Sequence, residues 1–239
     1  MQRREALTTM LALAASASLP AANAERVSGG QPWTPGEAAL PELPLAPPGS
    51  LAYFTQAEFD IVGAMAERLI PGDALSISGK DAGCATFIDR QLAGGYGSAA
   101  TMYRLGRFIK GTPEQGTQSP LTPAQRYRQG LAALEKHCQA TFGKGFAQLS
   151  GEQQDALLFA MERGSLALGP DVEVKQLFEQ ILQNVREGFL SDPIYGGNRG
   201  MASWKMIGFP GAQYDFRGLL GRNGQKLAIV PISLVDNSL

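Results

Sequence analysis

His137 is the only histidine in this 239-residue chain, and it stands beside Cys138. A hydrolytic triad or an imidazole-based zinc site needs more than one such group in reach of another. Neighbours on a helix point about 100° apart, so this pair cannot clasp one metal ion. His137 reads as an ordinary helix-surface residue. Cys84 is the only other cysteine, which rules out both a C-x-x-C-H haem attachment and the cysteine cluster of an iron-sulfur centre. The acids are spread singly along helical stretches, where Glu152 near a helix start suits the macrodipole. Asp89 and Arg90 lie within an apolar helix and are expected at the surface, with pairing across an interface as the alternative. These residues assemble no catalytic constellation, and no catalytic, cofactor-binding or metal-binding residue is expected in this chain.

Gly95-Tyr96-Gly97-Ser98-Ala99-Ala100 matches G-x-G-x-x-A ahead of an expected helix. A dinucleotide fingerprint works when a strand delivers the chain to the turn, so that backbone N–H groups meet a pyrophosphate at the helix N-terminus. Here a helix delivers it, and no second strand with a terminal acid follows. The stretch reads instead as a helix-helix turn, with Gly94 as the C-cap.

The segment DPIYGGNRGMASWKMIGFPG, Asp192 to Gly211, holds five glycines and two prolines with Tyr195, Trp204 and Phe209 among them. It cannot be a long helix. Glycine gives up more backbone freedom on ordering than any other residue, so something outside the segment must order it. Either the chain's own core closes over Tyr195, Gly196, Gly197, Trp204, Ile207, Phe209 and Pro210, or a partner does. Large rigid apolar side chains of this kind anchor interfaces, and these residues are assigned here as partner-binding.

The sequence around these residues is patterned for helices. Thr55 with Glu58 and Ser150 with Gln153 are capping boxes, and Thr122-Pro123-Ala124-Gln125 is a capped start with proline at the first helical position. Apolar residues at helical spacing follow each: Phe59 to Ile70, Tyr127 to Cys138, and Leu157 to Met161. Further helices are expected from an Asp81 cap through Leu92, from Ser98 to Phe108, and from Asp171 to Leu190. The chain reads as all-α, one helical domain of about six helices over residues 51–217. Residues 218–239 form an extended tail, whose run Leu227 to Val235 is β-like but carries Pro231. Such a tail can pair with an edge on another chain; disorder is the competing reading.

The N-terminus opens MQRREALTTMLALAASASLPAANA. Arg3-Arg4, an Ala/Leu stretch and small residues at Ala22 and Ala24 make residues 1–24 a signal peptide cleaved after Ala24. The paired arginines point to the twin-arginine type that carries folded cargo; Glu5-Ala6, where that motif more often has a polar residue then Phe, keep an ordinary secretory signal as the alternative. The expected location is the periplasm. Residues 25–50 are crowded with proline and form an extended arm, either a linker or a strap along a partner anchored by Trp33, Leu40, Leu43 and Leu45. In an oxidising compartment Cys84 and Cys138 can bridge the second and fourth expected helices, worth about 3 to 5 kcal/mol; two buried thiols or a bridge to another protein are the alternatives. The formal charge of −1 leaves no electrostatic footprint for nucleic acid or anionic lipid.

Three ordered blocks carry a family resemblance: FTQAEFDIVGAMAERLIPGD at Phe54 to Asp73, DAGCATFIDRQL at Asp81 to Leu92, and the Asp192 to Gly211 segment. Together they resemble the small subunit, also called subunit 3 or the gamma subunit, of gluconate 2-dehydrogenase. The resemblance implies a non-catalytic subunit of a membrane-associated dehydrogenase. Its large partner subunit carries FAD and oxidises a sugar or sugar acid, and a multihaem cytochrome c subunit, where present, takes the electrons through haem c. It further implies that this chain supplies the export signal and stabilises the flavoprotein, and that membrane contact is made only through the complex. An independent periplasmic helical protein that binds or turns over a small ligand is the other reading.

Overall fold

The structure, a computed structural model, describes residues 50–234 except 105, 110, 116, 117, 214 and 226. The expected signal peptide with Arg3, Arg4 and Ala24, and the arm with Trp33, lie outside the described residues. Six α-helices are present among the described residues: α1 Gln56–Leu69, α2 Cys84–Ala93, α3 Pro123–Phe142, α4 Gly151–Glu162, α5 Val174–Leu190 and the short α6 Ala202–Ile207. The all-α expectation holds, though the set of six differs from the one expected.

Three helix starts are built as their sequences require. At α1, α3 and α4 the Thr55, Thr122 and Ser150 hydroxyls accept from the backbone N–H of Glu58, Gln125 and Gln153, whose side chains reach back to the cap N–H groups. Each box satisfies two backbone donors that the helix itself leaves unpaired. Two other starts move. Asp81 does not cap α2: its carboxylate accepts from the Ser78 hydroxyl in a preceding turn, and α2 begins after left-handed Gly83. α5 begins at Val174 rather than near Asp171, and Glu173 at its N-cap makes no side-chain cap bond.

The described residues of the helix expected over Ser98 to Phe108 form no helix and run as turns, bends and irregular backbone. Gly97 packs so closely on the end of α2 that an added Cβ would collide with the Leu92 carbonyl oxygen. Its own carbonyl accepts from Ala124 N at the start of α3, and Ala99 is left-handed at φ 57°. The close approach and the reversed dihedral together break any helical continuation from this turn. Gly94 does cap α2.

α5 is the axis of the core and touches α1, α2, α3, α4 and α6. Its buried stripe, Leu177, Ile181, Val185 and Phe189, meets Ile88 and Phe87 of α2, Leu131 and Leu134 of α3, and Leu157 and Met161 of α4 in one apolar cluster. Polar pins cross this cluster. Asn184 of α5 accepts from the Tyr127 and Tyr96 hydroxyls, each at 3.1 Å, and Gln180 bridges Tyr96 to Arg126. Full burial pushes the Tyr127 phenol well above its usual range, so it is a permanent donor to Asn184.

Asp89, expected at the surface, is buried, and its carboxylate accepts three backbone N–H groups: Ala52 at 2.7 Å, Tyr53 at 2.9 Å and Phe54 at 2.7 Å. This clasp fixes the entry of the chain into the helical domain. Tyr53 completes it, donating to Ala124 O at 2.6 Å with the Arg128 guanidinium 4.3 Å above its ring. Cys84 and Cys138 are both buried and free, so the expected bridge is not made. The Cys84 thiol donates to Val185 O at 3.4 Å, a partner on α5 rather than on Cys138. No helix among the described residues is long and apolar enough to cross a membrane.

Candidate functional site

Asp192 begins the site. It follows α5 by two residues and precedes Pro193, an arrangement that favours a turn with the aspartate as its cap. Its carboxylate accepts from Ile194 N at 2.9 Å, from the Ser233 hydroxyl at 2.7 Å and from Leu234 N at 3.0 Å. The first bond folds the turn Pro193–Tyr195, and the other two bring the C-terminal segment back onto it. Ile232 then runs beside the far end of the loop in a parallel bridge with Gly211, donating to Pro210 O while its carbonyl accepts from Ala212 N. The tail expected to pair with another chain thus uses its edge on this chain's own loop. Pro231 is tolerated because the bridge is a single step rather than a central strand.

Between these ends the loop is tied at every turn. Gly197 is buried where a side chain would strike the Gly188 carbonyl oxygen of α5. Asn198 is fully buried and left-handed at φ 47°. Its amide donates to Ser191 O at 2.9 Å, and its carbonyl accepts from Ser203 N at 3.0 Å and the Ser203 hydroxyl at 2.8 Å. Arg199 N donates to Ala82 O, which docks the loop on the start of α2. Met201 is buried and left-handed as well, at φ 55°. Two non-glycine residues in this region, of order 1 kcal/mol of strain each, persist only where the surroundings over-determine them.

Trp204 is the central pin. It is 5% exposed, its indole N–H donates to Leu190 O at 2.8 Å, and its ring meets Phe209 edge-on at 5.0 Å between centroids. Leu190 is the last residue of α5, so the indole satisfies one of the carbonyls that a helix end leaves without an internal partner.

The partner-binding assignment divides along this line. Trp204 and Gly197 are buried in the chain's own interior, and Gly196 and Pro210 are half-buried, Gly196 at a point where an added Cβ would strike the Arg90 guanidinium. Tyr195, Ile207 and Phe209 are exposed, at 46%, 56% and 44%, and Met206 joins them at 42%. The correction has a simple cause: an indole of this size on a six-residue helix covers the end of α5 before it can reach outward. Sequence reasoning missed Asn198, Ser203, Asp192 and Met206. The Asp-Pro pair and the asparagine after Gly-Gly are recognisable turn signals, whereas nothing local marks Ser203 or Met206. Among the described residues no three His, Cys, Asp or Glu side chains gather as a metal site requires.

The segment that runs from α1 to the last glycine of this loop matches the family model described as Gluconate 2-dehydrogenase subunit 3, over residues 56–211. The chain belongs to this family. The match covers all six helices and ends at Gly211, where the parallel bridge to Ile232 begins. Neither a curated protein nor a solved structure matches the chain. As a member of the subunit 3 family the chain is a component of an oxidoreductase assembly, and its most tightly organised loop lies inside the family segment.

Proposed function

We propose that this chain is the non-catalytic small subunit of a periplasmic, membrane-associated dehydrogenase, bound to a large FAD-bearing subunit through Tyr195, Met206, Ile207 and Phe209. The observation that carries the reading is a set of exposed apolar side chains on a loop pinned to the core by Trp204, Asn198 and Asp192, inside the segment that matches the family. Rigid presentation lowers the ordering cost of association, so aromatic and branched side chains fixed in place are efficient anchors. In this reading FAD and the sugar or sugar-acid substrate belong to the large subunit, and a cytochrome subunit with haem c accepts the electrons. This chain contributes a folded support for the flavoprotein and the Arg3-Arg4 signal that exports both together.

Co-expression with the large subunit tests this. The two chains are expected to co-purify as a yellow, FAD-containing complex from the periplasm, and deletion of residues 1–24 is expected to leave both in the cytoplasm. Charge placed at the cluster by Ile207→Asp should abolish co-purification while the helical spectrum of this chain stays unchanged. A mature chain that stays monodisperse alone and oxidises a sugar without any partner overturns the proposal.

A further inference from the structure

A second surface lies at the other end of α2 from the aromatic loop. The chain as a whole holds 21 basic and 22 acidic residues, but the two signs are not evenly spread. From Arg90 to Leu134 there are six bases and one acid, Glu114. Within that stretch Arg104, Arg107 and Lys110 recur every third residue among Met102, Tyr103, Leu105, Phe108 and Ile109. The overall charge, which leaves no footprint for anionic lipid, therefore conceals a local one.

These side chains are displayed rather than packed. Tyr103 is 87% exposed and Ile109 79%, and Met102, Phe108, Arg104 and Arg107 are exposed as well. The backbone that carries them is tied down at its base. Gly97 O accepts from Ala124 N at the start of α3, the Arg104 guanidinium donates to Pro120 O, and the Gln118 side chain bonds both Gly111 N and Thr112 O. Tyr96, just before the segment, is held by Asn184 and Gln180 of α5. Beside it lies a groove of about 650 Å³ whose lining includes Arg104, Arg107 and Arg126, with Glu179 as the one acid among its described lining residues.

We propose that the segment Met102 to Ile109 is a direct contact with the surface of a bilayer that contains anionic phospholipid. Met102, Tyr103, Phe108 and Ile109 enter the interfacial layer, and Arg104 and Arg107 meet headgroup phosphates. Aromatic and aliphatic side chains interleaved with bases suit that layer, because each guanidinium reaches charged headgroups while its apolar neighbours leave water. Arginine binds phosphate through paired N–H donors, and each base near an anionic surface adds to the attraction. Nucleic acid would engage the arginines and the rings but give Met102 and Ile109 nothing to stack on. A protein partner needs a pocket for each projecting side chain, whereas a fluid interface accepts them wherever they stand. The contact goes beyond the subunit role proposed above, in which membrane association comes through other chains.

The test uses the mature chain purified with whatever chains accompany it. Ile109→Cys is labelled with the environment-sensitive dye NBD; Cys84 and Cys138 are buried, so the dye reports this segment alone even where another chain holds an anchor. Vesicles of mixed phosphatidylglycerol and phosphatidylcholine should shift the emission to the blue and raise its intensity, while inorganic phosphate should leave it unchanged. Adding Arg104→Glu/Arg107→Glu should raise the half-saturating lipid concentration by about thirtyfold or more. Adding Tyr103→Ser/Phe108→Ser, which alters exposed side chains and no core residue, should raise it at least about tenfold. No shift on the anionic vesicles, an equal shift on pure phosphatidylcholine, or an affinity indifferent to both double changes overturns the proposal. An emission already blue-shifted before lipid is added marks a protein or nucleic-acid occupant and overturns it as well. Co-purification of a flavoprotein does not enter this readout, so the contact and the subunit reading stand or fall separately.

Discussion

Trp204→Ala and Ile207→Asp, three positions apart, are expected to fail in opposite ways. Trp204 is almost wholly buried, caps the end of α5 through its indole N–H and packs edge-on against Phe209. Large-to-small changes of a buried tryptophan cost about 3 to 5 kcal/mol, and the orphaned Leu190 carbonyl falls within that figure. For a domain whose total stability is of order 5 to 15 kcal/mol this is about a fifth or more. With a urea slope of about 2 to 3 kcal/mol/M the midpoint should drop by about 1 to 2.5 M. Trp204→Phe, which keeps most of the ring and loses the N–H, should recover all but about 1 to 2 kcal/mol of the loss. Ile207 is 56% exposed, so Ile207→Asp should stay within about 0.5 kcal/mol of wild type in the same experiment. Against the large subunit the order reverses: a charge at an interface anchor costs at least about 2 kcal/mol, or roughly thirtyfold in Kd. The two assays are urea unfolding followed by far-UV circular dichroism and co-purification from the periplasm. If Trp204→Ala leaves the midpoint within about 0.3 M of wild type and still abolishes the complex, Trp204 faces the partner and the division drawn here between pin and anchor is refuted.

Asp89→Asn replaces a carboxylate that accepts three backbone N–H groups with an amide that has one acceptor oxygen, and about 1.5 to 3 kcal/mol should be lost; hydrogen exchange at Ala52, Tyr53 and Phe54 should accelerate first. Both cysteines should remain thiols: intact mass after alkylation in denaturant without reductant should show two added groups, and native labelling at pH 8 should be slow. Burial pushes the Cys84 thiol up to about 12 and, with Glu135 nearby, Cys138 up to about 11. Their raised values favour the folded state below the ordinary thiol pKa near 8.5, and that contribution should fade as pH rises from there toward 11 and 12. Asp155 moves the other way, held below the usual carboxylate range by a bidentate bond from Arg68. Its contribution is complete above about pH 4 and lost as pH falls through the folded value, so urea midpoints of wild type and Asp155→Asn should converge below pH 4.

What the sequence disclosed about the fold was mostly what is decided within four residues. Thr55-Glu58, Thr122-Gln125 and Ser150-Gln153 close on themselves, so their helices could be started correctly without knowing what they pack against. The segment from Ser98 failed for the opposite reason: its apolar spacing suits a helix, but Gly97 is claimed by both the end of α2 and the start of α3. A contact between elements more than twenty residues apart overrode a local preference worth a few tenths of a kcal/mol per residue. Asp89 shows the same limit for a polar group. One acid on an apolar helix resembles a surface residue until the three N–H groups that need it arrive from residues 52–54.

The loop at Asp192 to Gly211 was visible as a feature but not as a divided one. Composition marks it as ordered from outside itself, and glycine, proline and aromatic content say nothing about which aromatic faces in. That choice is made by geometry at the end of α5. A carbonyl without a helical partner sits at Leu190, and the only indole on the following loop is held within 2.8 Å of it. Once Trp204 is committed there, Met206 and Ile207 at the end of the six-residue α6, and Phe209 just beyond it, remain exposed. The same pin that buries Trp204 holds its neighbours on a fixed backbone, and side chains so held lose little further freedom when a partner covers them. The buried and the exposed members of this cluster are two consequences of one hydrogen bond, and a substitution that removes that bond should blur the distinction between them.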